Sequence, residues 1–329
     1  MSARIVATKP ADSAVSVVVP TRDRPGLLVG CLEALRASAR DGDEIVVVDS
    51  ASSVGEVGAL ALAAGARYVR CDRPGASRAR NAGWRAAKNA IVAFIDDDVR
   101  TSPDWAYAVA ATFAAHPDID FVTGRIGLMA GDERVARPVA IKQDVDPKTF
   151  DRDARSDRIG HGANLVVRRR ALDAVGGFDE RLGPGTPLHA AEDHDLFDRL
   201  LGAGFVGRYE PKVDAVHVQW RTKAQLLRLD WGYGVGSGAR LAKLLRRDRG
   251  RLRVAARAFF WEWGLQSVLR HARARWAFMA LTSSLRVAGG LFGVGRGLVT
   301  RWSATGDPAC APPPHAALPR RRRSSRPRP

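Results

Sequence analysis

Short apolar runs that alternate with helical segments constrain the fold of this chain most strongly. Residues 15–19, 44–48 and 91–95 each have the composition of a buried strand, and residues 27–39 have helical spacing. Such alternation predicts a mostly parallel sheet covered by helices on both faces. In sheets of this kind ligands bind beyond the carboxyl ends of the strands. The sequence therefore predicts an α/β fold with a binding crevice at one edge of its sheet.

Residues that could contact a ligand follow each of these three strands. They are Pro20 and Thr21 after the first, Asp49 after the second, and Asp96, Asp97 and Asp98 after the third. In an extended chain Asp96 and Asp98 would point to one side and Asp97 to the other. We therefore expect the outer pair to share a hard divalent metal. One carboxylate could instead cap the next helix, although Ser102 gives that helix a start signal of its own.

The predicted metal indicates the class of ligand. Mg²⁺ or Mn²⁺ held by two carboxylates keeps most of its coordination sphere for water and phosphate oxygens, which favours a nucleotide derivative. Asp49 and the backbone at Pro20–Thr21 could accept hydrogen bonds from a base. Arg78 and Arg80, in the segment GASRARNAG, would add positive charge beside the same crevice.

Two further motifs lie downstream, and each has two interpretations. Glu192 and Asp193 begin a predicted helix. Acidic side chains there interact favourably with the helix dipole, but one of them could instead act as a general base. His217 lies in the apolar segment VDAVHV. It could be a buried core histidine, or it could be a third metal ligand. Asp214 would then support the His217 ligand through a hydrogen bond.

Taken together and in this order, these motifs resemble the family 2 glycosyltransferases of the GT-A fold. The resemblance covers residues 15–217 and rests on VSVVVPTRDRPGLLVGCLEAL, EIVVVDSAS, GASRARNAGWRAAKNAIVAFIDDDV, GANLVVRRRALDAVGGFDERL and EDHDLFDRLLGAG, ending in AVHV. It implies a nucleotide-sugar donor, Mn²⁺ or Mg²⁺ as cofactor, and transfer to an acceptor hydroxyl with inversion. Ser50 departs from the pattern, because the family often has a second acidic residue after the second strand.

The resemblance also implies a role for each matching residue. On the donor side Pro20, Thr21 and Asp49 would contact the base. Arg80 would lie near the base or the phosphates, and Asp96 near the ribose or the metal.

On the metal and acceptor side, Asp98 and His217 would bind the cation, and Asp193 would be the catalytic base. Asn164, Glu192 and Asp214 are further candidates for contacting the acceptor or supporting these groups.

Charge divides the chain into two parts. The formal net charge is +17, yet residues 1–218 hold 29 Lys and Arg against 31 Asp and Glu, while residues 219–329 hold 23 against 4. In the basic part, Val254, Ala258, Trp261, Leu265 and Val268 predict an amphipathic helix of the kind that binds membrane surfaces. The apolar side of this helix could instead pack against the catalytic domain. Residues 276–299 are long enough to span a bilayer but contain Arg286 and Arg296. The glycine-rich segment 232–238 suggests a hinge or loop.

These observations predict four segments: a flexible N-terminus at 1–14, a catalytic domain at 15–218, a helical, membrane-associating region at 219–302, and a disordered Pro- and Arg-rich tail at 303–329. Cys31, Cys71 and Cys310 have no metal or disulfide spacing, and the first residues do not resemble a signal peptide. We therefore expect a cytoplasmic enzyme on the inner face of the membrane, with a lipid-linked or glycan acceptor.

Two rival functions are weaker. A sugar-nucleotide pyrophosphorylase would need a glycine-rich loop directly after the first strand, and VVVPTRDRPG has none. A nucleic-acid-binding protein could use the basic part, but the arginines there lie beside tryptophans and apolar stripes and form no groove-reading motif. The sequence predicts an anionic membrane surface as partner, and no specific nucleic acid.

Overall fold

A nine-stranded mixed sheet forms the centre of the protein in the computed structural model, which describes residues 14–130 and 137–302. The strands are β1 (Val15–Thr21), β2 (Glu44–Ser50), β3 (Arg67–Cys71), β4 (Ile91–Ile95), β5 (Val99–Thr101), β6 (Phe121–Leu128), β7 (Lys148–Phe150), β8 (Asn164–Arg168) and β9 (Gly207–His217). Their spatial order is β3-β2-β1-β4-β8-β6-β9-β5, with β7 also paired to β9.

Ten α-helices accompany the sheet among the described residues. They are α1 (Pro25–Ser38), α2 (Glu56–Ala63), α3 (Ala76–Ala86), α4 (Trp105–Ala115), α5 (Arg169–Val175), α6 (Glu192–Gly202), α7 (Lys223–Arg247), α8 (Arg249–Ala256), α9 (Gln266–Arg273) and α10 (Ala277–Val299). A short 3-10 helix covers Ser156–Arg158, and a π-helical stretch, Arg257–Leu265, joins α8 to α9.

The sheet is parallel from β3 through β2 and β1 to β4, and mixed beyond β4, where β8 runs antiparallel to both β4 and β6. One apolar cluster lies under α1, α2 and α4, and a second lies under α3, α5 and α6. Because both faces are covered, β1 and β4 are buried along their whole length, as the apolar sequence of β4 and the mainly apolar sequence of β1 predict. The predicted α/β architecture is confirmed.

The end of the predicted catalytic segment differs from expectation. The sequence suggests two short strands, at 205–209 and 213–218, but the structure has the single strand β9. Its pairing with β6 shifts register, so that Gly124 opposes Glu210 while Arg125 opposes Asp214. Pro211 lies in the extra residues of this bulge, where a missing N–H costs no ladder hydrogen bond.

The glycine-rich segment 232–238 is not a hinge; it lies inside α7. A Cβ atom at Gly234 or Gly238 would collide with the backbone of α10 at Arg286 or Gly290. The glycines therefore allow two helix backbones to touch, as small residues do at close helix crossings.

Among the described residues, α10 is the one helix long and apolar enough to cross a membrane, and 28% of its most apolar stretch is buried in the protein. The predicted stripe of the basic region is interrupted, because the π-helical turn changes the angular spacing. Ala258 is buried, whereas Val254, Trp261 and Leu265 are exposed. The predicted segments 1–14 and 303–329 lie outside the described residues, apart from Ala14.

Candidate functional site

The aspartate triplet forms a turn at the end of β4. The amide of Val99 donates to the carbonyl of Asp96 at 3.0 Å, and β5 then pairs antiparallel with β9, which places Val99 opposite His217. The extended-chain prediction is therefore wrong. Because the chain turns, Asp97 and Asp98 both face Arg24, whereas Asp96 faces Arg80.

Asp98 is buried and lies among four nitrogen-bearing side chains. One carboxylate oxygen is 3.3 Å from Nε2 of His217, and the other accepts a hydrogen bond from the Trp220 indole at 2.8 Å. Arg24 and Arg221 approach the second oxygen to 3.4 and 3.7 Å. Burial raises the pKa of Asp98, but His217, Arg24 and Trp220 together hold it well below its usual range. The carboxylate is therefore anionic at neutral pH.

Asp98 and His217 are the pair that could hold a divalent cation. The three predicted ligands do not assemble, since Asp96 turns away, and no three His, Cys, Asp or Glu side chains converge on a metal site within 14–130 and 137–302. A carboxylate and an imidazole still fit Mn²⁺ or Mg²⁺ at a diphosphate, because such ions take only one or two protein ligands there.

The support predicted for His217 comes from a different residue. Its Nδ1 lies 2.7 Å from the amide nitrogen of Gln219. Asp214 forms an ion pair with Arg125 at 3.0 Å instead. The prediction that Asp214 supports His217 is wrong, because residues three apart on a strand point to opposite faces.

Thr21 lies at the carboxyl end of β1 and is linked to the triplet. Its hydroxyl donates to Asp97 at 2.7 Å, and Arg24 lies 2.8 Å from the other oxygen of Asp97. Burial raises the pKa of Asp97 to about 7, with Arg24 opposing that shift. Asp97 thus fixes the turn from which Asp98 projects.

Asp49 lies beside Thr21 in register on neighbouring strands, while Pro20 is in register with Val48. The predicted strand ends therefore share one edge of the sheet. The buried carboxylate of Asp49 accepts from the amide of Ser52 at 2.8 Å, and from the Tyr68 hydroxyl and Arg70 at 2.9 and 2.7 Å.

Arg80, on α3, connects the triplet to the start of α6. It donates to Asp96 at 2.6 Å and to Glu192 at 3.0 Å, and its guanidinium lies 5.4 Å from the centre of the Phe178 ring. Burial lowers the pKa of Arg80, but Asp96 and Glu192 raise it by more. A buried cation therefore lies between the two acidic motifs.

Asp193 lies in the first turn of α6, after Ala191 in the left-handed conformation (φ 69°). Its carboxylate accepts hydrogen bonds from the amides of Gly162 at 3.2 Å and His194 at 2.8 Å. Burial raises the pKa of Asp193, yet His194, His161 and these two amides lower it below its usual value. By contrast, burial and the neighbouring Asp193 raise the pKa of Glu192 to about 7. The two adjacent carboxyl groups therefore differ in basicity, as an acid–base site requires.

Of the two roles predicted for Asn164, contact with the acceptor or support of neighbouring groups, its hydrogen bonds fit the supporting role. Asn164 is buried at the start of β8, where its oxygen accepts from the Trp105 indole at 3.0 Å. Its amide group donates to the carbonyls of Arg125 and Val213 at 3.0 and 2.9 Å. Both polar atoms of this side chain are therefore engaged within the protein.

Three residues of the site were missed by sequence reasoning: Arg24, Trp220 and Arg221. Trp220 lies between the two arginines, whose guanidinium carbons are 5.4 and 4.4 Å from its ring. The only available signal was position, since Arg24 closely follows the first strand and Trp220 closely follows AVHV.

Comparison with known proteins relates the first part of the chain, with the aspartate triplet, to a family. The family described as Glycosyl transferase family 2 matches residues 16–176. The chain is 32% identical over 225 residues to the pre-mycofactocin glycosyltransferase of Mycobacterium tuberculosis, and the match covers 63% of this chain and 43% of that protein. The chain thus spans less than half the length of this relative.

A second relative from Mycobacterium tuberculosis, the N-acetylglucosaminyl-diphospho-decaprenol L-rhamnosyltransferase, is 45% identical over 56 residues, which is 17% of each chain. The fold is similar to that of the mannosyltransferase PcManGT from Pyrobaculum calidifontis, solved with GDP-Man and Mn²⁺. The TM-score is 0.58 at 20% identity, over 85% of this chain and 86% of that one. The matched region, residues 16–176, contains β1 to β4 with the aspartate triplet, so the chain carries a family 2 glycosyltransferase domain, and its fold is that of GT-A glycosyltransferases.

Proposed function

We propose that this protein is a metal-dependent, inverting glycosyltransferase that moves a sugar from a nucleotide-sugar donor to a hydroxyl group of a lipid-linked or glycan acceptor. The observation that carries the proposal is the position of Asp193. Its pKa is lowered, and Glu192 beside it is joined through the buried Arg80 to Asp96 at the donor end of the sheet. An ionised base therefore lies next to a cationic site for a leaving diphosphate.

In the proposed reaction Asp193 takes the proton from the acceptor hydroxyl, and the resulting oxygen attacks the anomeric carbon. The new C–O bond forms on the face opposite the diphosphate as the bond to the diphosphate breaks, which inverts the configuration. Arg80 and Arg24 would stabilise the negative charge that develops on the diphosphate. At the ends of β1 and β2, Pro20, Thr21 and Asp49 would contact the nucleotide base of the donor.

Asp98 and His217 would hold the divalent cation. When bound, Mn²⁺ or Mg²⁺ supplies Lewis-acid stabilisation of the departing diphosphate. The Mn²⁺ and GDP-Man of the Pyrobaculum mannosyltransferase support the use of a divalent metal and a nucleotide sugar. The name of the rhamnosyltransferase supports a lipid-linked acceptor, and with it a place in cell-envelope glycoconjugate synthesis.

We further propose that the protein is cytoplasmic and lies on the inner face of the membrane. Between residues 249 and 281 the helices expose large apolar side chains: Val254, Trp261, Trp263, Leu265, Leu269, Trp276 and Leu281. Exposed arginines are interspersed among them: Arg249, Arg253, Arg257, Arg270, Arg273 and Arg275. Apolar groups beside cations suit an anionic lipid surface, where each cation contributes about 1 kcal/mol.

The first experiment screens nucleotide sugars by thermal shift with and without Mn²⁺. A donor that binds the folded protein raises its melting temperature. We expect one nucleotide class to do so in the presence of the metal, and the anomeric configuration of the product, read by NMR, to be inverted. Stabilisation by no nucleotide sugar, or retained configuration, would refute the proposal.

The second experiment is flotation with phosphatidylglycerol vesicles. We expect salt-sensitive binding that falls when Trp261 or Trp276 is replaced by alanine. Leu62→Ala on α2, where the side chain is also well exposed, is the matched control and should have no effect. Retention on DNA without binding to vesicles would support the nucleic-acid alternative instead.

A further inference from the structure

Three arginines cluster where α7 and α10 meet the catalytic site. Arg137 and Arg286 both bind the buried carboxylate of Asp230, with Nη2 of Arg137 at 2.6 Å and Nε of Arg286 at 3.0 Å. The third, Arg221, stacks on Trp220 and lies 3.7 Å from Asp98. Asp230 can neutralise only one of the two guanidinium groups that it binds, so the cluster has excess positive charge.

Several donors of this cluster have no acceptor. Nε of Arg137 and Nη1 of Arg221 are buried without a hydrogen-bond partner among the described residues. Tyr233 is half-buried, and its hydroxyl also has no hydrogen bond within 14–130 and 137–302, although Arg286 stacks on its ring at 5.4 Å. Buried donors are nearly always paired, so the two arginine nitrogens are available to a ligand that brings acceptor atoms, and the Tyr233 hydroxyl could donate to the same ligand.

The cluster lies within electrostatic range of the proposed base, Asp193. Burial raises the pKa of Tyr233 to about 12; Arg221, Arg286 and Arg137 oppose this shift electrostatically, and Asp193 adds to it. The phenol is therefore within electrostatic range of all three arginines and of Asp193. Through Arg221 the same cluster reaches Asp98, so it lies next to the proposed metal site.

We propose that Arg137, Arg221, Arg286 and Tyr233 bind the phosphate or diphosphate group of a lipid-linked acceptor. Guanidinium groups match phosphate oxygens in pairs, and a phenol can donate a further hydrogen bond. The inference rests on the proposed glycosyl transfer and adds the chemical class of its acceptor. It also gives a role to Arg286, one of the two arginines of helix α10.

A donor diphosphate has the same chemistry, but the position of the cluster favours the acceptor. Arg24 and Arg80 already face the triplet from the β1 and α3 side. Tyr233 and Arg286 lie instead on α7 and α10, and α10 exposes Leu291 and Phe292 to solvent. A lipid on these helices would bring its phosphate to the cluster.

The test measures binding of the full chain to phosphatidylcholine vesicles that contain a polyprenyl phosphate, the uncharged polyprenol, or phosphatidylglycerol. A separate titration measures nucleoside diphosphate binding. Wild type should prefer polyprenyl phosphate over both other lipids. Tyr233→Phe removes a hydroxyl that has no partner, so the fold should survive, and we expect polyprenyl phosphate affinity to fall at least threefold. Arg286→Gln should lower it about tenfold, or about 1.4 kcal/mol, with Arg286→Lys in between.

Arg296→Gln is the matched control, because Arg296 is exposed on the same helix and its side chain has no partner among the described residues. It should not alter the preference for polyprenyl phosphate. Nucleoside diphosphate affinity should stay within about twofold in every variant.

A loss of nucleotide affinity in Tyr233→Phe or Arg286→Gln would assign the cluster to the donor and overturn the inference. An equal loss on phosphatidylglycerol, or no loss on any vesicle, would also overturn it. If wild type binds nucleoside diphosphates but shows no preference for polyprenyl phosphate, the inference fails while the proposed function stands. If it binds no nucleotide, the proposed function fails.

Discussion

The ammonium group of Lys243, on α7, lies 2.5 Å from the carboxylate of Asp195, on α6. The same ammonium lies 2.7 Å from Asp179, and all three groups are buried. Asp195 is two residues after the proposed base Asp193, so this contact joins the C-terminal helices to the helix that carries the catalytic carboxylate.

Replacing Lys243 with methionine should destabilise the protein by about 1.5–3 kcal/mol, because two buried carboxylates would lose the ammonium group that they share. Among the described residues, Asp179 would keep only Arg181 as a cationic partner, and Asp195 would keep only Arg199. The free energy of unfolding in urea measures this effect. Arg247→Met, an exposed position on the same helix, is the control and should change stability by no more than about 0.5 kcal/mol. Equal losses in the two variants would contradict the structural role of Lys243.

Asp193→Asn should abolish sugar transfer while donor binding survives. The amide cannot accept a proton from the acceptor hydroxyl, and general base catalysis contributes about 10²–10⁴-fold to rate. Initial rates and donor titrations measure the two effects separately. Asp214→Asn alters a carboxylate that pairs with Arg125, and it should retain activity. If Asp193→Asn transferred sugar as fast as wild type, Asp193 could not be the general base.

Asp98→Asn should weaken metal-dependent donor binding at least tenfold, since the variant loses the anionic metal ligand, a change of about 1.4 kcal/mol or more. Asp96→Asn should depend on metal as wild type does, because Asp96 faces Arg80 and not His217. Calorimetric titration of the nucleotide with and without Mn²⁺ distinguishes them. Unchanged metal dependence in Asp98→Asn would count against this ligand.

Gly238→Ala should destabilise the contact between α7 and α10 by about 1–3 kcal/mol, because the new Cβ would collide with the carbonyl oxygen of Gly290. Gly295→Ala on α10 is the matched control. A Cβ there meets nothing within 4 Å, so alanine should be neutral or stabilise the helix by up to about 1 kcal/mol. Thermal unfolding compares them, and a tolerated Gly238→Ala would refute the close helix contact.

Glu192 should make stability depend on pH. Its pKa in the folded protein is raised from 4.5 to about 7, so between these values the folded state holds a proton that the unfolded state releases. The resulting stabilisation is complete below about pH 4.5 and is lost as the pH rises through 7. The melting temperature of wild type relative to Glu192→Gln should therefore fall over that range. A difference that is constant, or that rises with pH, would contradict the shift.

Much of the sheet could be predicted from local patterns. The apolar runs of β1, β2 and β4 identify buried strands, and the order of strands and helices places Thr21, Asp49 and Asp96 at one edge. Local patterns failed where backbone packing decides the outcome. Gly234 and Gly238 resemble loop residues in sequence, yet they are helical because α10 packs against them.

The sequence by itself determined the α/β fold and the edge of the sheet at which the acidic residues meet, because hydrophobic periodicity is local and parallel strands end on the same side. Only the tertiary structure decided which charges pair. Asp98 faces His217, Trp220 and Arg24, and Asp214 is excluded from them, because such pairs depend on distances through space between residues far apart in the chain. A turn of three residues after β4 separated Asp96 from Asp98, which the alternation of an extended strand could not reveal.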